Sequence, residues 1–240
     1  MKTLKPLLST LTVLVVLITT GCFDEFGIRG NGIAASEMRY TGTFSKVKSG
    51  GPFEVHISKN DEYKVIVNAE TNLLSYIETD VEGSTLSIRI RGLHHVVNTL
   101  PMEIYISSPV LTSVDESGSG TITADYFRCN DFKAAVSGSG SVESAVGCIN
   151  LDVYLSGSGT INLSGSAVYS GYNISGSGKI DGYDLASKEC NAIISGSGDI
   201  YTNVERHLDA TISGSGNVFF IGSPEISRHI SGSGKIINSN

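Results

Sequence analysis

The sequence predicts an all-β fold, a right-handed parallel β-helix or β-solenoid of about seven coils. Three observations predict it: a Ser-Gly-Ser-Gly tetrapeptide occurs seven times, β-branched residues follow each copy at a fixed offset, and the composition disfavours helices. The 240 residues include 28 glycines, 5 prolines and no tryptophan, with a charged fraction of 17%. Globular domains average about 25% charged residues, and this chain is poor in the Lys, Glu and Ala that favour helices.

The tetrapeptide recurs at intervals of 18 to 20 residues, with a β-branched residue two positions after each copy. The copies begin at Ser117, Ser137, Ser156, Ser175, Ser195, Ser213 and Ser231. The β-branched residues are Ile122, Val142, Ile161, Ile180, Ile200, Val218 and Ile236, and six copies are directly preceded by Val136, Leu155, Ile174, Ile194, Ile212 and Ile230. This alternation predicts a strand on each side of a turn. Such a unit cannot bury its own apolar face, so the units are expected to stack about 4.8 Å apart.

The tetrapeptide itself predicts a sharp corner in every coil. Glycine adopts positive φ without a Cβ clash, so both glycines of each copy are interpreted as structural turn residues. We expect the stacked serines to donate their hydroxyls to the serine or carbonyl of the next coil, as a polar ladder. The turn glycines are Gly118, Gly120, Gly138, Gly140, Gly157, Gly159, Gly176, Gly178, Gly196, Gly198, Gly214, Gly216, Gly232 and Gly234.

Residues 38–112 lack the tetrapeptide but contain four strand-like segments, at 53–57, 63–67, 86–90 and 102–106. We interpret them as N-terminal strands, a cap or first coils, of one domain spanning 38–240 whose repeats occupy 113–240. A separate small domain is the alternative.

Three short segments carry local predictions of their own. Gly50-Gly51-Pro52 is a candidate degenerate corner, and Asn72 is a candidate cap for a short helical turn. The acidic pair Asp115-Glu116 is expected in an exposed turn.

The N-terminus predicts export. Lys2 and Lys5 precede an apolar run over 7–20, which is shorter than the roughly 20 residues of a spanning helix. Gly21-Cys22 resembles a lipobox, so residues 1–21 are predicted to be a lipoprotein signal peptide, Cys22 the lipidated residue and 22–37 a tether. The chain is then expected at the cell outer membrane, on its surface or periplasmic face. Its net charge of −7 becomes more negative on cleavage, so nucleic acid is not an expected partner.

Cys129 and Cys148 each lie eight residues before the next tetrapeptide. Equivalent positions in adjacent coils stack within disulfide range, so Cys129 and Cys148 are candidates for a bridge, and two stacked free thiols that act as small apolar residues are the other interpretation. Cys190 has no partner at its offset.

No catalytic, cofactor-binding or metal-binding constellation is evident. The tetrapeptides precede strands, unlike a dinucleotide fingerprint, and neither Gly-x-Ser-x-Gly nor a paired-histidine spacing occurs. The carboxylates fall at different offsets from the corner: Asp125, Glu143, Asp152, Asp181, Asp184, Asp199, Glu205 and Asp209. A candidate binding stripe consists of outward aromatic residues: Tyr154, Tyr169, Tyr183, Tyr201 and Phe219.

The order of features resembles a known bacterial family. The features that carry the resemblance are, in order, Asn72-Leu73-Leu74, the Leu86-Ser87-Ile88 strand, Pro109-Val110-Leu111, the repeated tetrapeptide and Gly222-Ser223-Pro224. In these features the chain is similar to the putative auto-transporter adhesin head domain, or head GIN domain, over residues 40–238. The resemblance implies a right-handed β-solenoid in exported proteins, often Bacteroidetes lipoproteins, without established catalytic residues.

The expected function is that of a lipid-anchored envelope protein with a non-catalytic binding, adhesion or structural role. Its expected partners are the membrane, through the lipid, and a glycan or envelope protein. A carbohydrate-active enzyme and a self-assembling homo-oligomer stay as alternatives.

Overall fold

The computed structural model describes residues 27–92 and 94–240 and is almost entirely β-structure. The described residues form nineteen strands and one 3₁₀ turn, at Leu74–Tyr76. The strands are β1 (Ile28–Arg29), β2 (Ala34–Arg39), β3 (Lys46–Gly50), β4 (Glu54–Lys59), β5 (Lys64–Glu70), β6 (Ile77–Glu82), β7 (Thr85–Ile90), β8 (Val96–Val97), β9 (Glu103–Ser108), β10 (Ser113–Glu116), β11 (Thr121–Arg128), β12 (Asp131–Gly138), β13 (Ser141–Gly157), β14 (Thr160–Gly176), β15 (Lys179–Gly196), β16 (Asp199–Gly214), β17 (Asn217–Gly222), β18 (Glu225–Gly232) and β19 (Lys235–Asn238).

Seventeen strands join into one sheet that winds from coil to coil, and the predicted β-solenoid is confirmed. From β10 onward every neighbouring pair is parallel, and the register places Val142 beside Ile161 and Val153 beside Tyr172. Bulges shift the register locally between β11 and β13, between β14 and β15, and between β15 and β16. Each coil has two walls. We name wall A the residues that follow a corner and wall B the residues that precede the next one.

The predicted inward columns form the core. Ile122, Val142, Ile161, Ile180, Ile200 and Val218 on wall A are each 0% exposed. On wall B, Ile212 is buried but its partner in the last coil, Ile230, is 43% exposed. Ile230 departs from the prediction because β18 belongs to the terminal coil of the stack.

The corners are held by backbone hydrogen bonds, and the predicted serine ladder is wrong. In successive coils the amides of Ser158 and Gly159 both donate to the carbonyl of Gly138, at 3.0 and 3.1 Å. Among corner serines of the described chain, Ser117 alone forms a side-chain hydrogen bond within the protein, to the carbonyl of Ser49 at 3.1 Å. Most first glycines have positive φ, as expected, at 117° to 136°.

The second glycine of each corner is required for a different reason from the one predicted. No second glycine has positive φ. A Cβ at Gly178 would instead lie 2.5 Å from the carbonyl oxygen of Gly159 and 2.5 Å from a methyl of Leu155. Close approach of stacked coils, and not backbone conformation, therefore demands glycine there.

Apart from β1 and β8, which form a separate two-stranded parallel ribbon, the N-terminal strands belong to the same sheet but do not stack in chain order. β3 lies between β7 and β10, and β4 lies between β9 and β11, all parallel. Antiparallel strands then end the stack, with β5 on β9, β2 on β5 and β6 on β7. Gly51 lies directly against Gly118, so the corner-like segment at 50–52 occupies a corner position.

Two expectations for this region are wrong. Asn72 does not cap the turn at Leu74–Tyr76, since its side chain accepts from the Asn31 amide (3.1 Å) and donates to the Arg29 carbonyl (2.8 Å). Glu116 is not in an exposed turn but is 0% exposed, at the position that Val136 holds in the next coil. One of its carboxylate oxygens accepts from the Gly118 amide and the other has no partner, and burial raises its pKa.

A buried carboxylate fixes the N-terminal segment to the solenoid. Glu70, 0% exposed, accepts hydrogen bonds from the Thr99 hydroxyl (2.6 Å) and from the amides of Thr99 (2.9 Å), Gly32 (2.6 Å) and Leu100 (3.4 Å). These bonds, the Thr99 hydroxyl first, lower the pKa of Glu70 to about 2. A Cβ at Gly30 would collide with the carboxylate, so glycine leaves room for this contact.

The predicted signal peptide and Cys22 lie outside the described residues. Within the described ranges, no helix has the length and apolar character needed to span a membrane.

Candidate binding surface

The outer face of wall B carries two adjoining depressions. The first, a groove of about 430 Å³, lies between the column of first corner serines and the outward column two residues before them. It is lined on one side by Ser137, Ser156, Ser175 and Ser195, and on the other by Ala135, Tyr154, Asn173 and Ile193. We call it the serine groove.

The serine groove combines free hydroxyls with an exposed aromatic ring. Its four serines are solvent-exposed and form no side-chain hydrogen bond within the described protein, because the backbone alone holds the corners. Tyr154 is 44% exposed, and the ammonium of Lys133 lies 5.2 Å from its ring centre, a cation–π contact. Hydroxyls both donate and accept hydrogen bonds, so this edge suits a polar, uncharged ligand.

The second depression, of about 440 Å³, is charged and lies on the N-terminal side of the first. Its charged lining consists of Lys46, Lys48, Lys133, Asp115, Asp131 and Asp152. Asp115 also lines the serine groove, so the two form one surface. From β3 to β15 that surface crosses six stacked strands, a length of about 24 Å at ordinary strand spacing.

The predicted aromatic stripe does not exist as one surface. Tyr154 lies in the serine groove, whereas Tyr169, 49% exposed, lies elsewhere on wall B beside Glu189. Tyr183, Tyr201 and Phe219 form a separate cluster on wall A. The rings of Tyr201 and Phe219 stack at 4.7 Å, and Tyr183 meets Tyr201 edge-on at 5.2 Å.

The structure brings three of the scattered carboxylates together. Glu143, Asp181 and Asp184 line one small depression of about 170 Å³ on wall A, contrary to the expectation from their offsets. Asp181 is paired with the Lys179 ammonium at 2.8 Å, and the other two are exposed. Glycoside hydrolysis needs one carboxyl in an apolar, water-poor site to act as the acid, which this open depression does not provide.

The three described cysteines are free thiols. Arg128 and Gly147 are register partners, which places Cys129 beside Cys148 in adjacent coils as expected. Burial raises the pKa of both thiols, that of Cys148 to about 12. Their disulfide stays a prediction. Cys190 is buried and accepts a hydrogen bond from the Thr202 hydroxyl at 3.5 Å.

Sequence reasoning missed Lys46, Lys48, Lys133 and Asn173. Lys133 and Asn173 lie at outward offsets that the repeat register already defined, so that register could have found them. Lys46 and Lys48 could not be found in this way, because β3 meets β10 across 62 intervening residues and carries no tetrapeptide. Across the described residues no group of three or more His, Cys, Asp or Glu side chains could hold a metal ion.

Three solved structures share this fold. A putative adhesin from Bacteroides fragilis NCTC 9343 is 24% identical with a TM-score of 0.83, over 89% of this chain and 100% of that one. A putative lipid binding protein from Parabacteroides distasonis ATCC 8503 is 26% identical with a TM-score of 0.76, over 89% and 99%. A putative adhesin from Parabacteroides merdae ATCC 43184 is 21% identical with a TM-score of 0.68, over 89% and 99%.

A search of the curated proteins finds no match to the chain. A family model does match it, over residues 43–224, and its description is "Putative auto-transporter adhesin, head GIN domain". The resemblance seen in the repeated corners is thereby confirmed, and the chain belongs to the putative auto-transporter adhesin head GIN domain family.

Proposed function

We propose that the protein is an exported, lipid-anchored protein of the cell envelope that binds glycan chains without catalysis, through the serine groove. The observation that carries the proposal is the row of exposed hydroxyls in the serine groove, none of which forms a side-chain hydrogen bond within the described residues. The family's adhesin description and the lipobox-like Gly21-Cys22 support the binding role and the anchor respectively.

The fold explains the glycines of the corner but not its serines. Backbone amides and carbonyls close each corner, and glycine is needed where coils approach closely. Any small residue could replace the serines without losing a hydrogen bond within these corners. Their repetition is therefore best explained by contact with something outside the protein.

A glycan fits this surface better than a charged or apolar ligand does. Sugar hydroxyls exchange hydrogen bonds with serine hydroxyls and the Asn173 amide, and a sugar ring packs its apolar face on an exposed aromatic ring such as Tyr154. Ligands of this kind, bound through many weak polar contacts and water, suit a flat exposed surface.

A lipid ligand inside the solenoid is not favoured. The Parabacteroides distasonis relative carries a lipid-binding name, but in this chain the interior between the walls is filled by packed side chains such as Ile161, Ile180 and Tyr172, each 0% exposed. The proposal therefore places lipid only on Cys22.

Binding is tested by titrating soluble residues 23–240 with mannan, dextran and chitin oligosaccharides in calorimetry. The variant Tyr154→Ala should weaken binding about tenfold or more, because it removes one aromatic contact and the apolar area that this contact buries. Tyr169→Ala is the matched control, since Tyr169 is equally exposed but lies outside the groove. Equal losses in both variants, or none in Tyr154→Ala, would remove the groove as the site.

Export and anchoring are tested separately on intact cells. The wild-type protein should fractionate with membranes and carry acyl mass on Cys22, whereas Cys22→Ala should be soluble. Cleavage by added protease before lysis would place the solenoid on the cell surface, and protection until lysis would place it in the periplasm and exclude contact with other cells.

A further inference from the structure

We propose that one corner of the N-terminal cap rests on the membrane surface and inserts apolar side chains into it, which orients the solenoid on its anchor. This inference rests on the lipid anchor of the proposed function. We name as the N-terminal corner Ile33, Ala34, Val97, Leu100 and Pro101.

Chain length brings this corner to the bilayer. Four residues lie between Cys22 and Gly27, the first described residue, and the five residue steps from one to the other cover at most about 18 Å in an extended chain. Ile28 pairs with Val96 directly afterwards, in the β1–β8 ribbon. An acylated Cys22 therefore holds this ribbon within one short tether of the lipid headgroups.

The corner is firmly attached to the solenoid. Glu70 is the register partner of Ala34 and binds the amides of Gly32, Thr99 and Leu100, so it connects both segments that form the corner. Asn72 holds Arg29 and Asn31 in the same way. A surface held like this transmits its orientation to the whole stack.

The corner is more apolar than a surface open only to water should be. Ile33 is 61% exposed and Val97 is 37% exposed. Close to them along the chain, Ala34, Leu100 and Pro101 line a cleft of about 560 Å³. Exposed apolar residues grouped beside a cleft mark a protein or membrane contact.

The charges around the corner favour lipid over a second acidic protein. Arg29 is exposed and is the register partner of Val97, which places one cation beside an apolar side chain of the corner. Glu103 lines the cleft, and Glu70 is buried beneath the corner. An exposed arginine beside an apolar side chain matches the interface of a bilayer with anionic headgroups.

The test places an environment-sensitive fluorophore at the corner of the acylated full chain. The label is attached through Ile33→Cys in a chain whose Cys129, Cys148 and Cys190 are serine, and the protein is reconstituted in vesicles of phosphatidylethanolamine and phosphatidylglycerol. The control carries the label through Tyr169→Cys. Quenching by lipid-borne nitroxide should be about twofold or more stronger at position 33 than at 169.

Acyl mass on Cys22 is measured on the same samples. Acylated protein with equal quenching at both positions overturns the membrane contact and leaves the anchor intact. Absence of acyl mass overturns the anchor and this inference together.

Hydrogen exchange of the unaltered protein provides a second measurement that needs no cysteine replacement. Vesicle-bound lipoprotein should protect amides of residues 28–34 and 96–100 more than the soluble Cys22→Ala chain does. Unchanged exchange there would also overturn the contact.

Discussion

Replacing Gly178 by alanine tests whether close coil approach, and not backbone conformation, makes glycine necessary in the second position of the corner. Gly178 does not have positive φ, so alanine would be tolerated on conformational grounds. Its Cβ, however, would lie 2.5 Å from both the Gly159 carbonyl oxygen and a Leu155 methyl, where about 3.4 Å is the start of ordinary contact.

The magnitude follows from these contacts. The Gly159 oxygen belongs to the backbone and the Leu155 methyl is packed in the core, since Leu155 is 1% exposed, so the coils must separate locally. Overpacking of this kind costs about 1–3 kcal/mol. The Lys179 amide donates to the same Gly159 carbonyl at 3.1 Å, and weakening that bond adds about 1 kcal/mol. Gly178→Ala should thus lower the free energy of unfolding by about 2–4 kcal/mol.

The assay is urea unfolding followed by far-ultraviolet circular dichroism, with Ser177→Ala as the matched control. Ser177 is the adjacent corner residue, exposed and without a side-chain hydrogen bond in the described protein, so its loss should cost less than about 0.5 kcal/mol. A Gly178→Ala effect no larger than that of Ser177→Ala would refute the steric explanation.

Glu70 and Glu116 predict opposite pH dependences. The Thr99 hydroxyl, first among its partners, lowers the pKa of Glu70 from 4.5 to about 2. Ionised Glu70 therefore adds to the free energy of unfolding above pH 4.5, and this stabilisation is lost as the pH falls toward 2. Glu70→Gln should flatten that loss in thermal unfolding, and an unchanged profile would contradict it. Burial raises the pKa of Glu116, so its ionisation destabilises the protein as the pH rises. The thermal stability of Glu116→Gln should therefore increase relative to that of the wild type as the pH rises. A difference in stability that does not change with pH would exclude this. Mild oxidation should join Cys129 to Cys148 with loss of two hydrogens by peptide mass, and two alkylatable thiols afterwards would refute the pairing.

The repeat makes most of the fold predictable, because alternation with a period of two identifies the inward-facing positions of each strand from the sequence alone. Val136 and Ile122 are buried, as that period predicts. The same register would have placed Glu116, which directly precedes the first tetrapeptide, inside the core. The charge of Glu116 favours an exposed turn, but the structure shows that position in the coil outweighs side-chain type there.

The N-terminal strands and the charged depression were not predictable in this way. β7 and β9 lie outside β3 and β4 in the stack although they follow them in the chain. Without a tetrapeptide, nothing local specifies that order, and the depression formed by β3, β10 and β12 depends on it. Asn72 illustrates the same limit, since its partners Arg29 and Asn31 are more than forty residues away.

A repeated row of weak contacts has a consequence for how binding should depend on ligand length. Each coil presents one first-position serine to the groove, about 4.8 Å from the next. All four serines are exposed, and none forms a side-chain hydrogen bond in the described protein. A hydrogen bond exchanged with water contributes only about 0.5–1.5 kcal/mol, so no single serine can dominate affinity. Affinity must then accumulate along the ligand as successive contacts become intramolecular. Single serine-to-alanine variants should consequently change binding little, whereas shortening the oligosaccharide should weaken it steeply, a pattern that a compact pocket with one dominant contact would not produce.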